Sequence, residues 1–352
     1  MSSKRRAAVL AFCAALALPA PAAAWDFPGH RIVGAIADLV LQYHEPATWQ
    51  RVSDLLEVKR PDGTVQKRTL REVAVFPDCA KRNNERFCGR PPSDEEKAYA
   101  ARNPNHPSYH YTDVPIEQRR YVAGSAGTAD IDVVHMIDYA VAQLRGKSPT
   151  AIKGVELTDT EALWLLAHLV GDIHQPLHVG AKYFDKSCEK GVDPNVVGAG
   201  QPKFGIGASV AETVGGNLII LAAPAPAVPP ADNLHLYWDG AAVLQAMRGD
   251  NLAGDEQDFA RLLAAAPPAG WQTADPPESL ATQWASEILP LASQAHERVS
   301  IRKRAKPAPL GGCTWETTLD AKYEKFAAAH ARVQLAKAGF RLAALLKAIF
   351  AP

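Results

Sequence analysis

Apolar side chains recur at helical spacing along most of this chain. Within residues 31–42, Ile32, Val33, Ile36, Leu39 and Val40 form one stripe. Within 130–144, Ile131, Val134, Ile137, Tyr139 and Leu144 form another. Such spacing lines one face of a helix that turns every 3.6 or so residues. Thr158 followed by Glu161 is a capping-box pattern. It predicts a helix through Leu163, Leu166 and Leu169, ended or bent by Pro176, which has no backbone N–H to donate. Further helices are predicted over 278–299 and 319–350. Period-two alternation is scarce, and 217–221 is the best candidate strand. Three stretches read as loops: 182–215 (Gly and Lys rich), 222–230 (Pro and Ala rich) and 264–277 (Pro and Gly rich). The pattern predicts a mainly α protein, with one helical domain and long surface loops.

The first 24 residues stand apart. Lys4, Arg5 and Arg6 precede an apolar run over 7–18, then small residues end at Ala22, Ala23 and Ala24. A basic head, a short apolar run and a small-residue end are the parts of a secretory signal peptide. The apolar run is shorter than the roughly 20 residues a membrane span needs. Cleavage is expected between Ala24 and Trp25, leaving 25–352 as a soluble exported domain without a membrane anchor, expected to be a monomer. Elsewhere composition is ordinary for a globular chain of 352 residues, with 47% hydrophobic and 22% charged positions. Lys plus Arg and Asp plus Glu are each 38, so no basic field draws in nucleic acid. A metal in the site can supply positive charge locally instead.

Cys13 leaves with the signal, and Cys79, Cys88, Cys188 and Cys313 remain. An oxidising compartment permits two disulfides. Three pairings are open. The short loop between Cys79 and Cys88 favours that pair, with Cys188–Cys313 by elimination.

Chemistry concentrates in two pairs with the same spacing, His168 with Asp172 and His235 with Asp239. Four residues put both side chains on one helical face. His178 follows just past Pro176, and Asp78 and His110 add further donors. Histidine and carboxylate donors favour zinc over calcium or magnesium. Their number exceeds the needs of one ion, which predicts two or three metals. Signal removal would also expose the α-amine of Trp25, with His30 five residues on. An α-amine has a pKa of about 8 and can bind metal near neutral pH.

These segments resemble the zinc-dependent single-strand-specific nucleases of the S1/P1 family, whose fold is that of the phospholipase C/nuclease type. The resemblance rests on 25–30, Asp78, His110-Tyr-Thr-Asp113, the run from His168 to His178, Gly215-Gly-Asn217 and 233–239, in the family's order. A less specific likeness covers 338–343. The resemblance implies three Zn2+. Asp78, His110, His168 and Asp172 would hold one. Trp25, through amine and carbonyl, His30 and the bridging Asp172 would hold a second. His178, His235 and Asp239 would hold a third. Asp78 and Asp172 would then serve catalysis by holding the metals that activate water. The expected reaction is hydrolysis of single-stranded RNA and DNA to 5′-phosphates, with 3′-nucleotidase activity. By the same resemblance Tyr111 stacks on a base, Asp113 hydrogen-bonds it, and Lys81 and Asn217 contact phosphate or support the site. The stretch 182–215 is longer than compact family members need and reads as an inserted loop.

Two other functions stay open on the sequence. One is a phospholipase C acting on phospholipid headgroups, and the other an exported zinc-binding protein without catalysis. Of the 11 histidines, His44, His106, His135, His296 and His330 are expected at the surface or satisfied in the core. His174 lies inside the metal-binding stretch but outside the ligand set. Trp164, Trp238, Trp271, Trp284 and Trp315 are expected as core or cover, and Lys322, Lys325 and Arg332 as a solvated face.

Overall fold

The first helix begins at Phe27, earlier than its apolar stripe indicates, because the Asp26 carboxylate accepts the Phe27 N–H and Pro28 fits the first turn. This computed structural model describes residues 25–59, 63–81, 88–196, 210–226, 230–272, 276–304 and 312–350. The predicted signal segment 1–24 and part of the predicted loop, 197–209, lie outside the described residues.

In chain order the helices are α1 (Phe27–His44), α2 (Pro46–Leu56), α3 (Leu70–Val73), α4 (Phe76–Cys79), α5 (Asp94–Arg102), α6 (Val133–Leu144) and α7 (Asp159–Asp172). They continue with α8 (Leu234–Leu236), α9 (Ala242–Gly249), α10 (Glu256–Ala264), α11 (Leu280–Glu297) and α12 (Ala321–Phe350). The protein is mainly α, as its periodicity predicts. Helix α7 is the centre, buried in all but its first two residues. Its predicted capping box forms, with Thr158 and Glu161 each satisfying the other's backbone N–H. The helix closes at Asp172, before Pro176 is reached. α6 starts at Val133 rather than 130 because the Asp132 carboxylate caps Val134 and His135. α11 runs through Pro290. α12 packs on α1 so tightly that a Cβ at Gly339 would lie 2.5 Å from Ile36. One apolar core runs from Trp25 to Ile349.

The strands are β1 (Glu57–Lys59), β2 (Val65–Lys67), β3 (Val114–Pro115), β4 (Gly180–Ala181), β5 (Tyr183–Asp185), β6 (Val210–Glu212), β7 (Ile219–Ala225), β8 (Ala231–Asn233), β9 (Arg302–Lys303) and β10 (Trp315–Thr317). Two expectations change here. The strand predicted at 217–221 starts at Ile219, because positive φ at Val214, Gly215 and Gly216 spends the preceding residues on a turn. It then runs to Ala225, into the expected Pro-Ala loop, because β8 and β10 pair on either side of it. The stretch 182–215 is not loop throughout: β5 and β6 pair antiparallel near its two ends, with Tyr183 opposite Glu212. Both disulfides form as favoured, Cys79–Cys88 and Cys188–Cys313. No helix among the described residues is long and apolar enough to cross a membrane.

Candidate metal centre

The i,i+4 pair of α7 does what its spacing promises. His168 and Asp172 share one face, with His168 Nε2 3.2 Å from Asp172 Oδ2. That face looks toward α1, whose His30 places Nε2 3.3 Å from Asp172 Oδ1. The His30 and His168 rings stack with centroids 3.7 Å apart. His110 enters from the turn before β3, its Nδ1 3.0 Å from Asp172 Oδ2 and 2.9 Å from His168 Nε2. Asp78 enters from α4, with Oδ1 3.7 Å from both His110 Nδ1 and His168 Nε2. Asp172 therefore turns one oxygen to His30 and the other to His110 and His168.

The other pair lies further along the chain. His235 sits in α8 and Asp239 in the wide π turn that follows it, a distortion frequent at functional sites. His235 Nε2 is 3.4 Å from Asp239 Oδ2 and 3.1 Å from His178 Nε2. The result is three buried triads with mutually close donor atoms: His30, His168 and Asp172; Asp78, His110 and His168; His178, His235 and Asp239. His168 belongs to two of them. Eight of the nine expected ligands lie in these triads. The ninth, Trp25, is fully buried beside them, its indole N–H donating to Gly171 O at 2.8 Å.

The donor set fits a metal. His168, His178 and His235 each give an Nδ1–H to a backbone carbonyl, of Ala74 at 2.6 Å, His110 at 2.8 Å and Gly215 at 2.8 Å. That bond fixes the tautomer and leaves Nε2 as a lone pair facing its neighbours, the arrangement metal-ligating histidines use. His30 Nε2, Asp172 Oδ1 and Asp239 Oδ2 make no hydrogen bond although buried, a costly state that a cation relieves. Burial pushes His30 and His235 down to about 4, into the neutral form that binds metal. Burial works against charge on Asp172, yet His168, His110 and His30 hold its carboxyl well below the usual range.

Packing sets these positions. In α1, Asp38 accepts the Leu70 and Arg71 N–H groups at 3.0 Å each. This fixes α3, which leads to the Ala74 carbonyl that orients His168. The parallel pairing of β3 with β4 joins the segments after His110 and after His178, and Thr112 N–H donates to His178 O at 2.8 Å. Gly215 has φ +52°, and a Cβ there would lie 2.1 Å from Leu177 O. Only glycine brings that carbonyl under His235.

The residues expected to contact substrate border this centre. Lys81 is buried, with Nζ 2.6 Å from Asp78 Oδ1. Asn217 donates its side-chain amide to Val214 O at 2.9 Å, within the glycine turn. Tyr111 is half-buried and Asp113 buried. Sequence reasoning missed the partner of Asp113. The β5–β6 register sets Glu212 opposite Tyr183, and the Tyr183 hydroxyl donates to Asp113 O at 2.6 Å. Glu212 thus meets the Asp113 carboxyl, which also accepts from Gly215 N–H. Burial pushes Asp113 up to about 6 and, with the Asp113 charge, Glu212 well above its ordinary value. Two buried carboxyls in contact share a proton. His174 is no part of the triads: its Nδ1 donates to Val170 O at 2.7 Å and its Nε2 accepts from Arg341 at 2.9 Å. Gln175 was also missed: it lies inside the run from His168 to His178, but an amide is not one of the ligand types that run was read for.

A model of the S1/P1 Nuclease family matches residues 25–351, nearly the whole chain. No curated protein matches it.

Proposed function

The chain belongs to the S1/P1 nuclease family, and from that membership we propose an exported, monomeric zinc phosphodiesterase acting on single-stranded RNA and DNA. Its products are 5′-phosphates, and it also acts as a 3′-nucleotidase. The observation that supports this reading best is the buried centre of three triads, with ring N–H groups turned to backbone carbonyls and lone pairs turned inward. Histidine with carboxylate is a donor set suited to zinc. Asp78, His110, His168 and Asp172 would hold one ion. His30 and Asp172 would hold another, joined by the Trp25 amine and carbonyl once 1–24 is removed. His178, His235 and Asp239 would hold the third. Bound there, zinc supplies positive charge to the phosphate and makes water acidic enough to attack near neutral pH.

The chain's own residues do the rest. Asp172 spans two ligand groups and keeps them in one unit. Buried Lys81 holds the Asp78 carboxylate ionised and adds a fixed positive charge. Tyr111 offers a ring face to a base, and Asp113 with Glu212 meets the base edge. A single strand surrenders a base to such a pocket cheaply, whereas a duplex must first unstack it. Breaking the P–O3′ bond leaves the phosphate on the 5′ side. The test compares single-stranded RNA with phosphatidylcholine, using protein that begins at Trp25, with zinc supplied or chelated. Zinc-dependent release of 5′-nucleotides with intact lipid is expected. Lipid cleavage with intact RNA, or turnover untouched by chelation, overturns the proposal.

A further inference from the structure

Gln175 is fully buried between the two halves of the centre and belongs to none of the ligand groups. Four bonds converge on it. Its backbone N–H donates to Asp172 O at 2.9 Å, and its backbone carbonyl accepts from His178 N–H at 3.0 Å. Its side-chain carbonyl accepts from Leu177 N–H at 2.5 Å, capping the short Pro176–His178 turn that carries His178. Its side-chain NH2 donates to Asp239 Oδ1 at 2.6 Å.

The orientation of the amide is forced. A backbone N–H can only donate, so the carbonyl end of Gln175 must face Leu177 and the NH2 end must face Asp239. An NH2 group requires an acceptor, so Asp239 presents Oδ1 as carboxylate oxygen to Gln175. Oδ1 also lies 3.7 Å from His178 Nε2, but it already accepts from Gln175, whereas Oδ2 makes no hydrogen bond and lies 3.4 Å from His235 Nε2. One side chain therefore caps the turn of His178 and selects the oxygen that Asp239 offers. Through its backbone the same residue is tied to Asp172, which serves the other two groups.

We infer that Gln175 is the positioning residue for the metal of His178, His235 and Asp239: by engaging Oδ1 it fixes the Asp239 carboxylate with Oδ2 as its open donor, and it sets that metal's place relative to Asp172. The inference rests on the three-metal reading above and adds a residue to it. Outer partners of this kind change metal affinity about 10- to 100-fold when removed.

Two variants separate the parts of the argument. Gln175→Met keeps the volume and removes both side-chain bonds. Gln175→Glu keeps an acceptor for Leu177 N–H but sets a second carboxylate against Asp239 Oδ1. Metals per chain are counted by native mass spectrometry, and zinc release is followed with a chromogenic chelator. Wild type should hold three ions. Both variants should keep two and lose the third at about 10- to 100-fold lower chelator concentration, the two retained ions reporting that the fold stands. If Gln175→Met fails to fold, Gln175→Glu decides. Loss of the third ion in Gln175→Met but not in Gln175→Glu reduces Gln175 to a turn cap and overturns the inference. Wild-type retention in both variants overturns it as well. A wild-type chain that cannot hold three ions instead overturns the three-metal reading itself.

Discussion

Gly171→Ala sets helix propensity directly against the geometry of the metal centre. Gly171 lies in α7 one residue before Asp172, where alanine would ordinarily favour the helix by about 0.8–1 kcal/mol. A Cβ there would lie 2.9 Å from His30 Nδ1, 3.1 Å from His30 Cε1 and 3.7 Å from Trp25 Cδ1. Ordinary contact begins at 3.4 Å, so the ring must retreat by roughly 0.5 Å, about the tolerance of a ligand constellation. The retreat is not free, because His30 is fully buried and stacked on His168 at 3.7 Å. Overpacking of this kind costs about 1–3 kcal/mol, and the gain in helix propensity offsets part of it. Stability should therefore fall by no more than about 2 kcal/mol. Function should suffer far more, because a misplacement of about 1 Å can cost about 100-fold. The expected result is a cooperative melt close to wild type, loss of one metal ion, and a 10- to 100-fold lower kcat/KM on single-stranded RNA. Denaturant melts, metal counts and initial rates measure all three. Full metal content with kcat/KM within about twofold of wild type would refute the reasoning.

Further outcomes follow from the same geometry. A chain carrying one extra residue before Trp25 should fold as the mature form does but lack the amine ligand. Its zinc content should fall by one and its nuclease rate should collapse, and equal activity in the two forms would remove Trp25 from the ligand set. In the proposed base pocket, Glu212→Gln would leave Asp113 as the sole carboxyl facing the base. A lone carboxylate accepts two donors from guanine but matches adenine's donor and acceptor poorly, so the ratio of kcat/KM for guanine over adenine dinucleotides should rise on the order of tenfold. An unchanged ratio argues against that pocket. Arg341→Met strips His174 Nε2 and the Gly270 and Trp271 carbonyls of their donor. It should cost about 2–4 kcal/mol in a denaturant melt while leaving metal content at three. Loss of a metal would instead place His174 among the ligands.

Several features were legible from local sequence because the forces that set them act within a turn or two. The apolar stripes predicted the helices of α1, α6, α7, α11 and α12, and Thr158 with Glu161 predicted how α7 begins. His168 with Asp172, and His235 with Asp239, needed only the helical pitch to share a face. Cap and turn chemistry moved the boundaries: Asp26 and Asp132 shifted two helix starts, and positive φ at 214–216 delayed β7.

Tertiary packing decided what no local pattern contains. The sharing of Asp172 between His30 and the pair of His110 and His168 depends on α1 and the His110 turn arriving at one face of α7. The union of Glu212 with Asp113 follows from a strand register, set in a stretch whose sequence reads as loop. Arg341 reaches His174 across 167 positions, so the role of that histidine as a packed acceptor lay outside any spacing argument. Gln175 lies within the His168–His178 motif, but its role was not legible there, because it depends on which way its amide is forced to point by Leu177 and on where the π turn sets Asp239. Periodicity and spacing determined which side chains share an element, since backbone geometry within an element is nearly constant. The juxtaposition of elements, and with it the metal groups, the carboxyl pair and the orienting amide, was decided by core packing between segments far apart in the chain.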